Sequence, residues 1–278
     1  MGGPWPSWAF LGLGALVERT VGRPTRRGGC EIGFFPTATE VILQEHRFRP
    51  ITGRALMIGR QNTGLIPGEA KHLIERNGIP LLRDDFEIEK NTIHLTGRDG
   101  EITDRAFFAA FSNCSVEAID VSDYESAEIV HDMSVPIPDH LKGQFDFIYD
   151  GSSLDNIFNV ATAMQNVSDL LKPGGRCVLM NWSNSFPTAY AMLSPDWFMD
   201  FFAYHEYEDA RVLVVAVDAV HGRVWRYDPL VIHDNQYGYQ CSSITTHETR
   251  ATTCFAEKIR QTNQGWISSA NALPRRKC

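Results

Sequence analysis

The sequence predicts an α/β fold built on a mostly parallel sheet with helices on both faces. Short apolar runs bounded by turn residues are typical of buried strands. In the first part of the chain these runs lie at 54–59, 116–120, 129–133, 145–151 and 177–180. Between the last two, residues 155–171 carry apolar side chains at helical spacing. Strands that alternate with helices indicate βαβ units, which cover a parallel sheet on both faces.

The first 50 residues are predicted to form an N-terminal helical extension. Residues 8–17 are apolar and are expected to form a helix that packs on the domain or closes the active site, and residues 39–47 a short second helix. The apolar run is too short to span a bilayer, and neither the basic start nor the small-residue cleavage site of a signal peptide is clear. We therefore expect no stable membrane insertion.

The main domain is predicted to occupy residues 51–260. Its first half adds two helices, at 69–77 and 102–111. Between them lies a charged, turn-rich insertion at about 80–100 with a possible strand at 92–95.

The second half of the chain adds more strands. Ser194 is a suitable N-cap for a helix at 196–203, because its hydroxyl can accept a hydrogen bond from a free backbone N–H. Strands are predicted at 211–217, 220–227 and 252–259. Residues 261–278 are predicted to be a flexible tail.

Composition limits the possible partners and the compartment. The formal net charge is −8, which argues against broad electrostatic capture of nucleic acid. The six cysteines are scattered and show neither a Cys-x-x-Cys pair nor zinc spacing. We expect reduced thiols, no bound metal and a cytoplasmic protein.

Acidic residues mark the ends of three predicted strands. Asp120, Asp132 and Asp150 end or follow the strands at 116–120, 129–133 and 145–151. Ligands of parallel sheets bind at the carboxyl ends of the strands, so all three carboxylates are expected at one edge. A carboxylate there can accept hydrogen bonds from both hydroxyls of a ribose.

The order of these signals resembles the class I S-adenosylmethionine-dependent methyltransferases, and in particular one bacterial-type branch of them. The resemblance covers roughly residues 54–202. It rests on IGRQ at 58–61, DVSDYE at 120–125, VHD at 130–132, DGSSLDNIFN at 150–159 and the LKPGG turn at 171–175. It implies a seven-stranded, Rossmann-like methyltransferase sheet and S-adenosylmethionine as the cofactor.

The resemblance also implies cofactor contacts along the first three strands. Asp120 would hold the ribose, and Asp132, with Met133 beside it, the adenine. The loop after the first strand would hold the methionine part of the cofactor. That loop departs from the family's Gly-x-Gly-x-Gly pattern, since it keeps Gly59 and Gly64 alone. We therefore expect Gly59 together with Arg60 or Gln61 to make this contact.

The segment after the fourth strand is expected to complete the site. Asp150 and Gly151 are predicted to lie against the cofactor, with Asp150 orienting the cofactor amine or the pocket backbone. Asp155 occupies the family's Glu position and is the candidate catalytic base, but it could equally be a helix N-cap or a first-turn acid. The family's neighbouring His is Asn156 here, and Asn cannot act as a base.

Two further side chains were weighed for catalysis. Tyr190 matches the family and could donate a hydrogen bond to the substrate. His131 precedes Asp132, and side chains alternate along a strand, so a structural role is favoured for His131.

The function predicted from the resemblance is methyl transfer to a small-molecule or glycan acceptor, with oxygen as the first choice of acceptor atom. A nicotinamide-dependent oxidoreductase is a weaker alternative, because Gly-x-Gly-x-x-Gly and the later acid are both missing. A methyltransferase-like domain that has lost its chemistry and serves binding or assembly is the stronger alternative. The thin glycine loop favours that alternative, and the three acids oppose it.

Overall fold

A computed structural model describes residues 36–90, 99–123, 125–184, 189–205, 207–216, 224–227 and 250–258. Its strands form one mixed sheet in the order β3-β2-β1-β4-β5-β8-β6-β7. The strands are β1 (Arg54–Ile58), β2 (Ser115–Asp120), β3 (Ile129–Val130), β4 (Phe145–Gly151), β5 (Leu171–Trp182), β6 (Tyr207–Ala216), β7 (Val224–Tyr227) and β8 (Arg250–Lys258).

The first five strands are parallel, and the last three add antiparallel pairs. β8 runs antiparallel to both β5 and β6, and β7 pairs antiparallel with β6 at the edge. The predicted fold class is therefore confirmed. Strands β6 and β7, which overlap the strands predicted at 211–217 and 220–227, pair with each other. The described sheet has eight strands rather than seven because β7 is added at its edge.

Within the described residues, five α-helices cover the two faces of the sheet. They are α1 (Pro36–Phe48), α2 (Pro67–Arg76), α3 (Asp104–Ala109), α4 (Val160–Leu170) and α5 (Pro195–Tyr204). Helices α1, α2 and α3 pack on one face and α4 and α5 on the other, so that two apolar cores enclose the sheet. Strand β1 contributes alternate residues to each core, as a strand buried on both faces must.

Hydrogen-bonding side chains set the starts of three helices. The side chains of Thr103, Asn159 and Ser194 accept backbone N–H groups from the first turns of α3, α4 and α5. These caps explain why α3 begins two residues later than the predicted 102–111 and why α4 begins five residues later than predicted. Residues 154–156 form a separate 3₁₀ turn, so Asp155 is not an N-cap of α4.

Some predicted features fall outside the described residues. These are the apolar segment at 8–17, the possible strand at 92–95 and the tail at 261–278. Within the described part of the chain, no helix is both long and apolar enough to cross a bilayer.

Candidate functional site

The main cleft opens where the sheet changes direction. β1 lies between β2 and β4, so the chain leaves β1 towards one edge of the sheet and leaves β4 towards the other. Such switch points create a crevice at the carboxyl ends of the strands, where α/β proteins bind ligands. A cleft of about 330 Å³ lies there. Among the residues lining it are Gly59, Arg60, Gln61, Asp120, Glu125, His131, Asp132, Met133, Ser153 and Asn156.

Gly59 lets the first loop turn tightly beside the cleft. Its φ is +71°, in the left-handed region that favours glycine, and its N–H donates to the Ile119 carbonyl at 2.8 Å. A Cβ added at Gly59 would lie 2.9 Å from Ser153 Oγ and 3.6 Å from Asp120 Oδ2. The missing side chain therefore keeps a narrow space open between these two groups.

The acids predicted after β2 and β3 both line the cleft. Asp120 is half-buried, and its Oδ1 accepts the Ser122 N–H at 3.3 Å. Asp132 is exposed, and its Oδ1 accepts the Ser134 N–H at 2.8 Å. Hydrogen bonds from Ser134 hold the pKa of Asp132 below its ordinary value. Met133 is buried and supplies an apolar part of the wall.

Arg60 lines the cleft, but its charged end is held by protein carboxylates. One guanidinium nitrogen lies 3.2 Å from Asp104 Oδ1, and another lies 2.7 Å from Glu128 Oε2 and donates to the Ser126 carbonyl at 3.0 Å. The side chain is only 4% exposed. Arg60 therefore ties the loop after β1 to α3 and to the segment before β3, instead of presenting a free charge to a ligand.

Gln61 turns back onto the end of β1. Its Nε2 donates to the carbonyls of Ile58 and Gly59 at 2.8 and 3.1 Å. Gly151 does not line the cleft, and a side chain there would collide with Gln61 Oε1. Gly151 therefore makes room for Gln61, and its contact with the cofactor stays a prediction.

Asp150 and Asp155 form a buried network below the cleft and do not line it. Asp150 accepts the N–H groups of Ser153 and Leu154 at 2.8 and 3.3 Å, and Asn181 Nδ2 at 2.8 Å. Burial, followed by the nearby charge of Asp155, raises the pKa of Asp150 to about 7. Asp150 therefore shapes the loop that lines the cleft rather than contacting a ligand itself.

Asp155 is fully buried, which speaks against its predicted role as a base. Its carboxylate accepts Ser152 Oγ at 2.9 Å and the Trp182 N–H at 2.8 Å. Its own N–H donates to Asn181 Oδ1 at 3.1 Å. Burial raises the pKa of Asp155. These contacts join the loop after β4 to the end of β5, so Asp155 is a structural acid and a substrate proton would have no direct path to it.

Tyr190 lies outside the cleft on the same side as the loop after β4. Its N–H donates to the Asp155 carbonyl at 2.8 Å, which fixes its backbone near the cleft. Its ring is 72% exposed and meets the 89% exposed Phe158 edge to face, with 6.3 Å between the ring centroids. Contact between Tyr190 and a substrate remains a prediction.

Several residues that line the cleft were given no ligand role, or were not singled out, from the sequence. β3 ends at Val130, so strand alternation does not extend to His131, which lines the cleft beside the predicted Asp132. Asn156 also lines it, with its Nδ2 donating to the Ser152 carbonyl at 2.9 Å. Only the DVSDYE match hinted at Glu125, and no local signal indicated Ser153.

Comparison with known proteins gives weak similarity to one class of structure. No protein-family model and no curated protein sequence matches the chain. A phosphoethanolamine N-methyltransferase 2 from Haemonchus contortus, in complex with S-adenosyl-L-methionine, is 11% identical with a TM-score of 0.41; the alignment covers 80% of this chain and 52% of that one. The chain thus spans about half the length of that enzyme.

One archaeal and one bacterial structure give similar sequence identities and TM-scores. A SAM-dependent methyltransferase from Archaeoglobus fulgidus is 10% identical with a TM-score of 0.39, over 79% of this chain and 94% of that one. A 1,6-didemethyltoxoflavin-N1-methyltransferase from Burkholderia thailandensis, with S-adenosylhomocysteine bound, is 13% identical with a TM-score of 0.37, over 80% and 76%. Similarity this low carries no functional argument, so the function has to be inferred from the cleft itself.

Proposed function

We propose that this chain catalyses methyl transfer from S-adenosylmethionine to a small-molecule acceptor. The observation that carries the proposal is Asp120, which ends β2 and lines a cleft at the switch point of the sheet. A carboxylate in this position can accept the two ribose hydroxyls of a nucleoside. The volume of about 330 Å³ lies within the usual range for small-ligand sites.

The other residues of the cleft fit the same cofactor. The left-handed turn at Gly59 leaves a space that a Cβ would fill, and backbone can approach a ligand closely there. Met133 and Ile119 supply apolar surface for an adenine, and Asp132 lies beside Met133. With Arg60 bound to protein carboxylates, the amide groups of the loop after β1 are better placed to hold the methionine end.

The reaction requires little of the protein beyond aligning the methyl group with the acceptor atom. The cofactor supplies a methyl group on a sulfonium, which is already an activated leaving group. The residues of the cleft would orient the two reactants and exclude water. A hydroxyl acceptor also needs a proton acceptor. We propose oxygen as the acceptor atom and His131 as the candidate base, since Asp155 is enclosed.

The position of His131 supports that role. Its Nε2 lies 3.3 Å from the Val135 carbonyl. A carbonyl only accepts, so a hydrogen bond here needs Nε2 as the donor, and in the neutral ring Nδ1 is then the acceptor. Free Cys114, Cys177 and Cys254 support our proposal of a reducing, cytoplasmic setting.

The second candidate is a methyltransferase-like domain that binds cofactor or partners without turnover. The enclosure of Asp155 favours it, because the acid at the family's Glu position has no contact with the cleft. A domain of this kind would bind S-adenosylmethionine and yield no methylated product from any small-molecule or glycan acceptor.

The deciding experiment is calorimetric titration with S-adenosylmethionine, using the purified chain and the variants Asp120→Ala and Asp123→Ala. Asp123 is an exposed acid of the same loop that does not line the cleft, so its variant is a matched control. We expect saturable binding that Asp120→Ala weakens at least roughly tenfold, by loss of charge-assisted hydrogen bonds, and that the control retains. No binding by a folded, cofactor-free sample would reject the proposal.

A further inference from the structure

The charge lining the cleft is negative. Three acidic residues, Asp120, Glu125 and Asp132, line it. Arg60 brings a positive charge to the wall, but that charge is balanced by contacts with Asp104 and Glu128. Among the described residues of the cleft, no other Lys or Arg faces these three acids.

Glu125 lies where this negative charge is concentrated. It lines the main cleft and also a smaller cavity of about 130 Å³ behind Arg60. Burial raises the pKa of Glu125, and the charges of Asp120 and Glu89 raise it further, while the charge of Arg60 partly offsets them. A positively charged ligand group in the cleft would relieve this repulsion, whereas a neutral ligand would leave it in place.

We propose that the cleft selects its ligand by charge, binding cationic S-adenosylmethionine more tightly than the neutral product S-adenosylhomocysteine, and that Glu125 is a main determinant of this preference. The inference rests on the proposed function. At neutral pH the cofactor carries a sulfonium, an ammonium and a carboxylate, so its net charge is positive. The product has lost the sulfonium charge and is a neutral zwitterion.

Methyl transfer would then lower the affinity of the cleft for its own product, S-adenosylhomocysteine. In the transfer step the methyl carbon bonds to the acceptor atom, and the electron pair of the broken C–S bond stays on sulfur. The acceptor's proton passes to a base or to solvent. The ligand thereby loses one positive charge in a cleft lined by three acids, and its electrostatic attraction to the cleft falls.

The expected preference is moderate because the cleft is open to water. One additional positive charge near several partly exposed carboxylates, in an environment of intermediate dielectric, should make the cofactor bind roughly tenfold more tightly than the neutral product at low ionic strength. Near 0.5 M salt, screening should reduce the logarithm of this affinity ratio by about half. Affinity for the neutral product should change little with salt.

The test is calorimetric titration at pH 7.0 with three probes, at 0.05 and 0.5 M salt. The probes are S-adenosylmethionine, S-adenosylhomocysteine and sinefungin, which carries a protonated amine in place of the sulfonium. The variants are Glu125→Gln, which removes the charge and keeps the shape, and Asp123→Asn, which removes a charge of the same loop outside the cleft. Circular dichroism checks that each variant is folded.

We expect S-adenosylmethionine and sinefungin to bind about tenfold more tightly than S-adenosylhomocysteine to the unmodified chain. Glu125→Gln should reduce that ratio roughly threefold while leaving the affinity for S-adenosylhomocysteine nearly unchanged, and Asp123→Asn should preserve the ratio. Equal or tighter binding of S-adenosylhomocysteine would overturn the inference and leave the proposed function intact. Binding of none of the three would overturn the proposed function, and the inference with it.

Discussion

Replacing Gly59 by alanine tests the geometry of the cleft most directly. At φ +71° an alanine is strained by about 1 kcal/mol. The new Cβ would also lie 2.9 Å from Ser153 Oγ, which donates to the Ile58 carbonyl at 2.5 Å. To avoid the contact, Ser153 has to give up that hydrogen bond, at a further cost of about 1 kcal/mol. Gly59→Ala should therefore destabilise the fold by about 2 kcal/mol.

Gly78 provides the matched control. Its φ of +68° is close to that of Gly59, and nothing lies within 4 Å of an added Cβ. Gly78→Ala should cost only the strain of about 1 kcal/mol, so that the difference between the two variants isolates the contact with Ser153. Urea unfolding followed by circular dichroism measures both values, provided that the slope with denaturant is unchanged.

The same pair of variants should separate stability from cofactor binding. The methyl group of Gly59→Ala would lie 3.6 Å from Asp120 Oδ2, between two groups that line the cleft. We expect it to lower the affinity for S-adenosylmethionine by at least roughly tenfold, because it blocks close approach to the backbone, while Gly78→Ala leaves the affinity unchanged. Equal losses of stability and unchanged binding in both variants would refute this account of the first loop.

Three further predictions concern the buried charges. Asp155→Asn should change the free energy of unfolding by less than about 1 kcal/mol and preserve binding of S-adenosylmethionine, because an amide can still accept the backbone N–H and donate to the serine. Asp155→Ala should cost about 3 kcal/mol in urea unfolding. Loss of turnover in a well-folded Asp155→Asn variant would restore the role of Asp155 as a base. Arg60→Ala should lower the free energy of unfolding by about 3 kcal/mol, because it leaves the buried Asp104 without this partner. The control Arg105→Ala removes an exposed arginine and should lower it by less than about 1 kcal/mol. Equal losses in the two variants would contradict the structural role of Arg60. Burial, followed by the charge of Asp155, raises the pKa of the Asp150 carboxyl from the ordinary 3.8 to about 7, so the folded state holds the extra proton between these pH values. Its contribution to stability is present below about pH 4 and is lost as the pH rises through 7, which predicts about 2 kcal/mol less stability from this group at pH 8 than at pH 5.5, and a weaker pH dependence in Asp155→Asn.

Local pattern was sufficient to predict most of the fold. Buried strands read as apolar runs between turn residues, and these patterns placed all eight described strands. Ser194 was likewise identified as an N-cap, because a cap depends only on residues three positions apart. The edge at which Asp120 and Asp132 meet also followed from the sequence, since the carboxyl ends of parallel strands share one edge.

Only the tertiary structure decided what each polar side chain does. Asp155 is structural because Trp182 and Ser152 enclose it, and Arg60 is unavailable to a ligand because Asp104 and Glu128 hold it. These partners are mostly distant in sequence and become neighbours only when the sheet and helices pack. Burial and charge pairing are properties of that packing, so the sequence determined where the site lies, and the packing determined which residues are free to act there.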